Sequence, residues 1–542
     1  MLAIAAALAP AAAPAAVPGC APQLPVVAHH AGGALASAPL PTACVTETGM
    51  ATSESTIGVT RRGTVVYSPA ISENSLARSL DGGATWSAAY PPDEQYTALW
   101  NTDDPYLTVD RRTGRIFWSH ATGPSRTAPI LVSNSPLPSG LPTAIAAAAG
   151  FQVYSSADEG ASWHTADYQS APTGDWEKVF TGPPAPGAAQ PQGYPDVVYL
   201  CGNSPTEAAG PGRLCYRSLD GGESFEPAGY VFPSAQTPDS CQALAANNGA
   251  VGPDGTVYQP VMCRSAAYVA VSRDEGASYT WQRVQGAPGM AGVAGVDADL
   301  GGLQVAVDDG GTVYALWQTE SAIYLTRSRD GAQHFTAPLS VAAPGLRRVA
   351  LPALAAGEPG EVGVAYYGAP DEHATHLTAY LTQSADATAS DPILVSAALN
   401  DPAQPVFQPS GVSGSLTPRA DYVGAAYDAA GTLWGGLVKQ LAAPDPDGHV
   451  GTTGLVGRLV VPPRAPGCAT RRLVVFHLPR GSRAVRVFVR GRRARLLRGA
   501  RNTVAVDLRA NGRRAIRVRL TARSRGGRPI RRLRVVQPCR HS

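Results

Sequence analysis

The feature that most constrains the fold is a short motif that occurs five times along the chain. Each copy begins with Ser, has Asp two positions later, continues with Gly and a small or polar residue, and ends on an aromatic residue. The copies span residues 79–86, 156–163, 218–225, 272–279 and 328–335. This order predicts a hairpin turn, because the Asp carboxylate accepts backbone N–H groups, Gly takes the positive-φ position, and the aromatic packs inward on the next strand.

The spacing of the motif predicts an array of similar units. Its aspartates are Asp81, Asp158, Asp220, Asp274 and Asp330, at intervals of 77, 62, 54 and 56 residues, and one further step of 56 reaches Asp386 in a degenerate sixth copy. A second recurring element is an apolar strand, a Gly turn and another apolar strand, seen at 57–67, 107–118, 251–261, 305–317 and 354–367. Four strands per unit predict the blades of a β-propeller.

The sequence does not determine the number of blades. An irregular inner hairpin falls at 176–201 and a seventh at 422–437, against six positions of the motif. We therefore expect an all-β chain with six or seven blades over residues 45–462, and we favour seven. A strand near the N-terminus is expected to close the ring.

The C-terminal residues 465–542 form a separate segment with an extreme charge. From Cys468 onward there are 23 Arg and one acid, Asp507, so this segment carries +22 and the rest of the chain −19. Short strands that alternate apolar residues with Arg predict a small β-sandwich. Contact with an anionic cell wall or polysaccharide, or docking on the acidic propeller, fits this charge. Nucleic acid is not expected as a partner, because aromatic residues hardly interleave with the arginines.

The N-terminus and the cysteines indicate export. Residues 1–19 are an Ala/Pro-rich apolar run that predicts a signal peptide and is too short for a transmembrane segment, and residues 20–44 form an extension. The expected disulfides pair Cys20 with Cys44, Cys201 with Cys215, Cys241 with Cys263, and Cys468 with Cys539. The protein is then secreted or at the cell surface. The alternative is a lipoprotein acceptor at Cys20.

The repeated motif resembles the Asp box of the sialidase, or BNR-repeat, superfamily, over about four hundred residues. The resemblance implies a sialidase-like propeller in which the motif aspartates are structural. Sialidases of this family use three arginines to clamp the substrate carboxylate, a Tyr and Glu nucleophile pair, and an Asp acid/base. Here residues 53–55 are Ser-Glu-Ser where the family has its first arginine. Tyr422 matches the nucleophile, or is simply an aromatic at a strand start, and Arg348 and Arg419 are candidate clamp residues.

Acidic residues recur in the loops that lead into the innermost strands. In a propeller these loops surround one mouth of the central channel, which commonly binds ligands. The acids are Glu54, Asp103, Asp104, Asp175, Glu177, Asp297 and Asp299. Such carboxylates are suited to bind Ca²⁺ or to accept hydrogen bonds from sugar hydroxyls, and the other interpretation is that they are solvated loop acids.

Three hypotheses of function follow. The favoured one is a secreted, non-catalytic propeller that binds a glycan or an extracellular protein. The second is a divergent exo-sialidase or other glycoside hydrolase, and the third is a structural surface protein. A Ser-His-Asp order, a zinc-spaced His cluster and a phosphate-binding Gly loop are not apparent in the sequence.

Overall fold

The computed structural model describes most of the chain up to residue 460 and parts of the remainder. The described residues are 24–38, 40–69, 76–89, 105–122, 150–166, 177–203, 212–232, 241–242, 248–289, 302–408, 422–444, 450–460, 468–469, 473–478, 482–489, 492–494, 497–498, 503–507 and 516–538. They form two compact units, Met1–Val460 and Val461–Ser542. Within these residues all regular structure is strand, and none of it is a helix that could cross a membrane.

The first unit contains, among the residues described, seven antiparallel sheets, each of which is one blade. Two strands precede the first blade: β1 (Val26–His30) and β2 (Thr42–Glu47). Blade 1 comprises β3 (Thr56–Val59), β4 (Val65–Ser68), β5 (Ala77–Ser79) and β6 (Ser87–Ala88). Blade 2 comprises β7 (Tyr106–Val109), β8 (Ile116–Thr122), β9 (Gly150–Ser156) and β10 (His164–Thr165).

Blades 3 to 5 follow in chain order. Blade 3 comprises β11 (Lys178–Gly182), β12 (Val197–Asn203), β13 (Arg213–Ser218) and β14 (Glu226–Phe232). Blade 4 comprises β15 (Cys241–Gln242), β16 (Ala250–Val251), β17 (Val257–Cys263), β18 (Ala266–Ser272) and β19 (Thr280–Pro288). Blade 5 comprises β20 (Gln304–Val307), β21 (Val313–Gln318), β22 (Ile323–Ser328) and β23 (Leu339–Ser340).

Blades 6 and 7 each include a strand from the N-terminal part. Blade 6 comprises β24 (Arg348–Ala356), β25 (Val362–Ala369), β26 (Thr378–Ser384) and β27 (Ile393–Ala398), and β1 pairs with β27 as its fifth strand. Blade 7 comprises β28 (Gly424–Tyr427), β29 (Leu433–Pro444) and β30 (Val450–Val460). Strand β2 completes it by pairing with β30.

The seven blades form a closed ring. The innermost strands are β3, β7, β11, β16, β20, β24 and β28; each contacts the next, and β28 contacts β3. The sequence left six or seven blades open, and the structure has seven. The all-β propeller expected from the repeats is confirmed, as is its closure by a strand near the N-terminus.

The innermost strands lie so close together that some positions admit only glycine. A Cβ atom on Gly58 of β3 would lie 2.4 Å from Val109 Cγ2 on β7, and one on Gly182 of β11 would lie 2.3 Å from a side-chain carbon of Val251 on β16. Real Cβ contacts are far longer, so these glycines are required by the approach of neighbouring blades.

The motif hairpins join the third and fourth strands of the blades. In blade 1, Asp81 Oδ1 accepts hydrogen bonds from Ser79 Oγ at 2.8 Å and from the backbone N of Thr85 at 2.9 Å. The backbone N of the residue four positions after the aspartate is bonded in the same way in blades 2 to 5. Asp386 accepts hydrogen bonds from Ser384 Oγ and the backbone N of Ile393, both at 3.0 Å. These aspartates therefore follow the third strand of their blade, counted outward from the strand that lines the channel.

Two of the four expected disulfides are confirmed. Cys201 and Cys215 are cross-strand neighbours on β12 and β13, and Cys241 and Cys263 on β15 and β17. Cys44 on β2 is disulfide-bonded as well. The expected partners Cys20 and Cys539 lie outside the described residues.

The second unit, described by itself, is a small β-sandwich of two sheets. Its strands are β31 (Cys468–Ala469), β32 (Leu473–His477), β33 (Arg483–Val489), β34 (Arg492–Arg493), β35 (Leu497–Arg498), β36 (Thr503–Asp507), β37 (Ile516–Arg523) and β38 (Pro529–Pro538). One sheet has the order β31-β38-β37-β33-β34 and the other β32-β36-β35. Its core includes Leu478, Val487, Val489, Val518 and Leu520.

Candidate functional site

A cavity of about 530 Å³ runs along the centre of the ring. Residues of all seven innermost strands line it, and its volume lies in the range typical of ligand pockets. We call the end where the innermost strands begin the start face, and the end where their hairpin turns lie the turn face. The two ends carry different groups of charged side chains.

A layer of three side chains spans the channel at the start face. The Lys178 ammonium group lies 4.8 Å from the ring centroid of Tyr106 and 4.6 Å from that of Tyr422, and the two ring centroids are 6.0 Å apart. Lys178 is fully buried and Tyr422 is 3% exposed. These residues come from blades 3, 2 and 7, so the Tyr–Lys–Tyr layer crosses from one side of the ring to the other. Contacts between a desolvated cation and aromatic faces stabilise such a layer.

Glu177 lies beside this layer and is fully buried. Its Oε1 atom accepts a hydrogen bond from Ser119 Oγ at 2.9 Å. Burial raises the pKa of Tyr106, the negative charge of Glu177 raises it further, and a hydrogen bond with Asn248 opposes the shift. The phenol of Tyr106 is therefore held in its neutral form.

Arg213, at the beginning of β13, is a buried charge that the sequence did not single out. It is fully buried, and its guanidinium nitrogens have no hydrogen-bond partner among the described residues. Burial lowers its pKa to about 10, while Tyr279 and Glu177 act in the opposite direction. The sequence gives little signal for this role, because β13 (RLCYRS) also contains the polar residues Arg217 and Ser218.

The residues proposed from the sequence have different surroundings in the structure. Glu54 is 8% exposed in the bend before β3, at the start face. Tyr422 Oη donates a hydrogen bond to the carbonyl oxygen of Pro105 at 3.4 Å. Arg348 Nη1 donates one to the carbonyl oxygen of Ala374 at 2.6 Å, in the loop after β25. Six further candidates lie outside the described residues: Asp103, Asp104, Asp175, Asp297, Asp299 and Arg419.

An ion pair crosses the turn face. Arg111 Nη2 lies 2.7 Å from Asp309 Oδ2, and Arg111 Nη1 donates to the carbonyl oxygen of Ala356 at 3.2 Å. These residues follow the innermost strands of blades 2, 5 and 6, so the contacts connect opposite sides of the ring.

A second titratable cluster lies at the turn face between blades 2 and 3. Asp196 is fully buried, and its Oδ1 atom lies 2.8 Å from Arg112 Nη1. Tyr194 donates a hydrogen bond to the neighbouring Asp110. Burial raises the pKa of Asp196, the nearby Asp110 carboxyl raises it further, and Arg112 opposes the shift. The sequence does not reveal this cluster, because Asp110 and Asp196 are 86 positions apart.

A metal site is not found within the part of the chain that is described. There, no three His, Cys, Asp or Glu side chains lie close enough together to hold an ion. The Ca²⁺ expectation thus depends on the predicted acids that lie outside the described residues.

Comparisons with known proteins give similarity of fold only. No protein-family model and no curated protein matches the sequence. Among solved structures, a protein of unknown function from Dyadobacter fermentans is similar at 16% identity, with 77% of this chain and 98% of that chain covered and a TM-score of 0.36. The leech intramolecular trans-sialidase has 15% identity, coverage of 72% and 65%, and a TM-score of 0.36. The NanB sialidase of Streptococcus pneumoniae has 13% identity, coverage of 77% and 70%, and a TM-score of 0.39. Because these scores and identities are low, the site is interpreted from its own residues.

Proposed function

We propose that this chain is a secreted or cell-surface propeller that binds a glycan at its start face without cleaving it. The proposed binding groups are acids that the sequence predicts for this face: Glu54, Asp103, Asp104, Asp175, Asp297 and Asp299. Glu177, also predicted for this face, is fully buried and is left out of the proposed binding groups. Carboxylates accept hydrogen bonds from sugar hydroxyls. The Tyr–Lys–Tyr layer belongs to the same face. An extracellular protein is the other ligand class for the same surface.

The observation that carries the non-catalytic part of the proposal is the position of Tyr422. Its ring packs against the Lys178 ammonium group, it is almost fully buried, and its hydroxyl donates to a backbone carbonyl. A nucleophilic tyrosine must instead reach the substrate and transfer its proton to a base. Arg348 likewise uses its guanidinium on the backbone of Ala374. Both contacts support structural roles.

A glycoside hydrolase is the second candidate, and one observation favours it. Glu177 acts electrostatically on the phenol of Tyr106, which is a tyrosine and carboxylate pair at the mouth. Burial and Glu177 both raise the pKa of Tyr106. A raised pKa argues against Tyr106 as a nucleophile. An activated nucleophile needs a lowered pKa or an adjacent base that removes its proton.

Location outside the cytoplasm is supported by the cysteines. Two disulfides connect neighbouring strands in blades 3 and 4, and the free thiol form is not found among the described cysteines. Disulfides of this kind form and persist in oxidising compartments. We propose secretion or surface display on that basis.

A glycan array with the full-length protein tests the binding proposal. Glu54→Gln removes a start-face carboxylate and is expected to weaken binding at least ~10-fold, since hydrogen bonds to charged groups contribute about 1.5–3 kcal/mol. Glu358→Gln, in the β24–β25 turn at the opposite face, is the matched control and is expected to leave binding unchanged. Equal losses in both variants, or an array with no bound glycan, would contradict the proposal.

We propose separately that the same carboxylates bind Ca²⁺. Titration of EDTA-treated protein with Ca²⁺ in a calorimeter is expected to give one saturable binding event that Asp103→Asn weakens. A flat titration would remove Ca²⁺ from the proposal and leave glycan binding to the carboxylates alone.

A further inference from the structure

One face of the five-stranded sheet in the second unit carries arginine side chains from four strands, and Phe488, Thr521 and Leu533 occupy positions on the same face. Directly opposite residues on paired strands share a face of the sheet. Arg483 is opposite Arg523, Arg486 is opposite Thr521, which is opposite Arg531, and Phe488 is opposite both Arg493 and Arg519. We call this the arginine face, and its arginines are Arg483, Arg486, Arg493, Arg519, Arg523 and Arg531. All six are exposed, while Val487, Val489, Val518 and Leu520 are buried on the other side.

The charges of the arginine face are not neutralised within the part of the second unit that is described. Arg483 Nη2 donates to the carbonyl oxygen of Arg525 at 2.8 Å, and Arg523 Nη1 to that of Gly527 at 3.4 Å. Arg519 lies over the Phe488 ring at 5.1 Å. These contacts orient the guanidinium groups but leave their charge in place. The one acid after Cys468, Asp507, belongs to β36 in the other sheet.

Such an arrangement has an electrostatic cost in the free protein. Neighbouring strands lie about 4.8 Å apart and alternate residues of one strand about 6.8 Å apart, so adjacent guanidinium groups lie within the screening length of roughly 8 Å at physiological salt. Like charges directly opposite each other destabilise a sheet. A row of anions laid over the face removes this repulsion and gains charge-assisted hydrogen bonds. Arginine suits carboxylate, sulfate and phosphate groups because its fork binds two oxygens at once.

We infer that the arginine face binds a linear anionic polysaccharide along the strands β33, β37 and β38. The inference rests on the proposed location outside the cytoplasm, but it uses no residue of the propeller. A polysaccharide is favoured over nucleic acid because the face offers Phe488 as its one aromatic side chain among those described, and Arg519 covers that ring. Single-stranded nucleic acid is bound chiefly by exposed aromatic stacking platforms. The recognised chemistry is a repeated oxyanion on a sugar chain.

Binding of the full-length protein to immobilised heparin, a sulfated and carboxylated polysaccharide, tests the inference. The triple variant R486Q/R519Q/R531Q removes three exposed charges without touching the core. At about five-fold per arginine near an anionic surface, the expected loss of affinity is ~100-fold. The slope of log Kd against log salt should fall by roughly three, because about one counterion is released per contact. The variant R486K/R519K/R531K keeps the charges but loses the two-oxygen fork, so an intermediate loss is expected.

The matched control removes three exposed arginines of the propeller, R264Q/R283Q/R347Q, and is expected to retain full affinity. Polygalacturonate, which carries carboxylates, and a sulfated dextran should both compete with heparin in solution, because the arginine fork binds either anion. Competition by neither polymer would overturn the inference. Equal weakening in the control, unchanged affinity in the triple variant, or tighter binding of a DNA duplex of equal charge would overturn the inference. Salt-dependent self-association without heparin binding would also overturn it. Glycan binding at the start face is tested separately with Glu54→Gln. Failure of the start-face proposal is therefore distinguishable from failure of the arginine-face inference.

Discussion

Asp81 illustrates how one carboxylate organises a motif hairpin. Besides the bonds from Ser79 Oγ and the backbone N of Thr85, its Oδ2 atom accepts a hydrogen bond from Thr85 Oγ1 at 2.7 Å. Hydrogen bonds to the ionised form lower the pKa of Asp81 to about 2, with those from Thr85 the largest cause. The folded hairpin therefore favours the carboxylate more than the unfolded chain does.

We predict that Asp81→Ala lowers the free energy of unfolding by about 0.5–1.5 kcal/mol, because the donors it releases are largely exposed and can bind water. Urea unfolding measures this, with Glu372→Ala, an exposed acid on another loop, as the control. Start-face glycan binding should be unchanged. A variant with wild-type stability but lost binding would contradict the structural role of the aspartate.

The same carboxylate predicts a dependence on pH. A lowered folded-state pKa contributes stability that is present above the unfolded value near pH 4 and is lost as the pH falls toward 2. The stability difference between wild type and Asp81→Ala should therefore shrink over this window in urea titrations. A stability difference between wild type and Asp81→Ala that stays constant from pH 6 to 2.5 would contradict the lowered pKa of Asp81.

Asp196 predicts the opposite behaviour near neutral pH. Its raised pKa means that the folded protein holds a proton that the unfolded chain releases, so its contribution to stability falls as the pH rises from about 4 toward neutrality. Asp196→Asn mimics the protonated form and should remove this decline, raising Tm at pH 7.5 but not at pH 4. Asp391→Asn, at a more exposed acid, is the control. An equal shift of Tm at both pH values would contradict the assignment.

At the level of single residues, the sequence predicts hydrogen bonds within a motif hairpin. It does not predict contacts between residues that are far apart in the chain. The hydrogen bonds of Asp81 depend on residues within four positions, so a motif can reveal them. The pairing of Asp110 with Asp196 and the contact of Lys178 with Tyr422 depend on the closed ring. Neither the spacing nor the residue types signal them.

In blades 1, 3 and 5, an arginine on the third strand connects the blade to the hairpin of the next blade. Arg78 Nη1 donates to the carbonyl oxygen of Glu159, Arg217 Nη1 lies 3.0 Å from Glu275 Oε2, and Arg327 Nη2 donates to the carbonyl oxygen of Ala389. Glu275 is fully buried and also accepts a hydrogen bond from the backbone N of Ala185 at 3.2 Å. Blades 3 and 4 are thus linked by a buried carboxylate.

We predict that Glu275→Ala lowers the free energy of unfolding by about 2–3 kcal/mol, because it leaves a buried N–H and a partly buried guanidinium without their acceptor. Glu226→Ala is the matched control, since the exposed Glu226 contacts the same Arg217 at 2.9 Å. It should cost less than about 1 kcal/mol. Equal losses in urea unfolding would show that burial of Glu275 contributes nothing.

At the level of strands, hairpins were predictable where turn residues and apolar runs coincide. The irregular hairpin expected at 176–201 is formed by β11 and β12. The hairpin expected at 251–261 in blade 4 is formed by β16 and β17. The two-residue strand β15, which also pairs with β17, was not predicted. Segments so short have no periodicity of their own.

Strand β2 holds the whole ring together. It pairs with β30 from Thr42 opposite Val460 to Glu47 opposite Leu455, and Glu47 Oε1 lies 2.6 Å from Lys439 Nζ of β29. Blade 7 therefore combines strands that are about four hundred positions apart in the chain. Without β2, strand β30 would be an exposed edge.

We predict that deletion of residues 24–47 yields an unstable, aggregating protein, because blade 7 loses its fourth strand and the buried Ala43 and Cys44. Deletion of 24–31 is the control, since it removes β1, a fifth strand on blade 6, and leaves four strands in every blade. Size-exclusion chromatography and thermal unfolding measure the outcome. A monomeric, cooperatively folded 24–47 deletion would contradict closure by β2.

For the whole molecule, the repeats predict the propeller architecture. The loop sequences do not show which residues form the functional site. The motif turn occurs in blades 1 to 5, so five copies of one motif constrain the fold strongly. The residues proposed for the site occur once each, on loops, so no repeat reveals them. The roles of Tyr422 and Arg348 could therefore be proposed from the sequence but not decided by it.

A start face that binds a glycan without cleaving it should give no turnover of a fluorogenic sialoside by purified protein. A structural Tyr422 predicts no release of fluorophore above buffer at any pH from 4 to 8, for wild type, Tyr422→Phe and the exposed control Tyr230→Phe alike. Turnover by wild type and by Tyr230→Phe that Tyr422→Phe abolishes would contradict the account, because Tyr422 would then be a nucleophile.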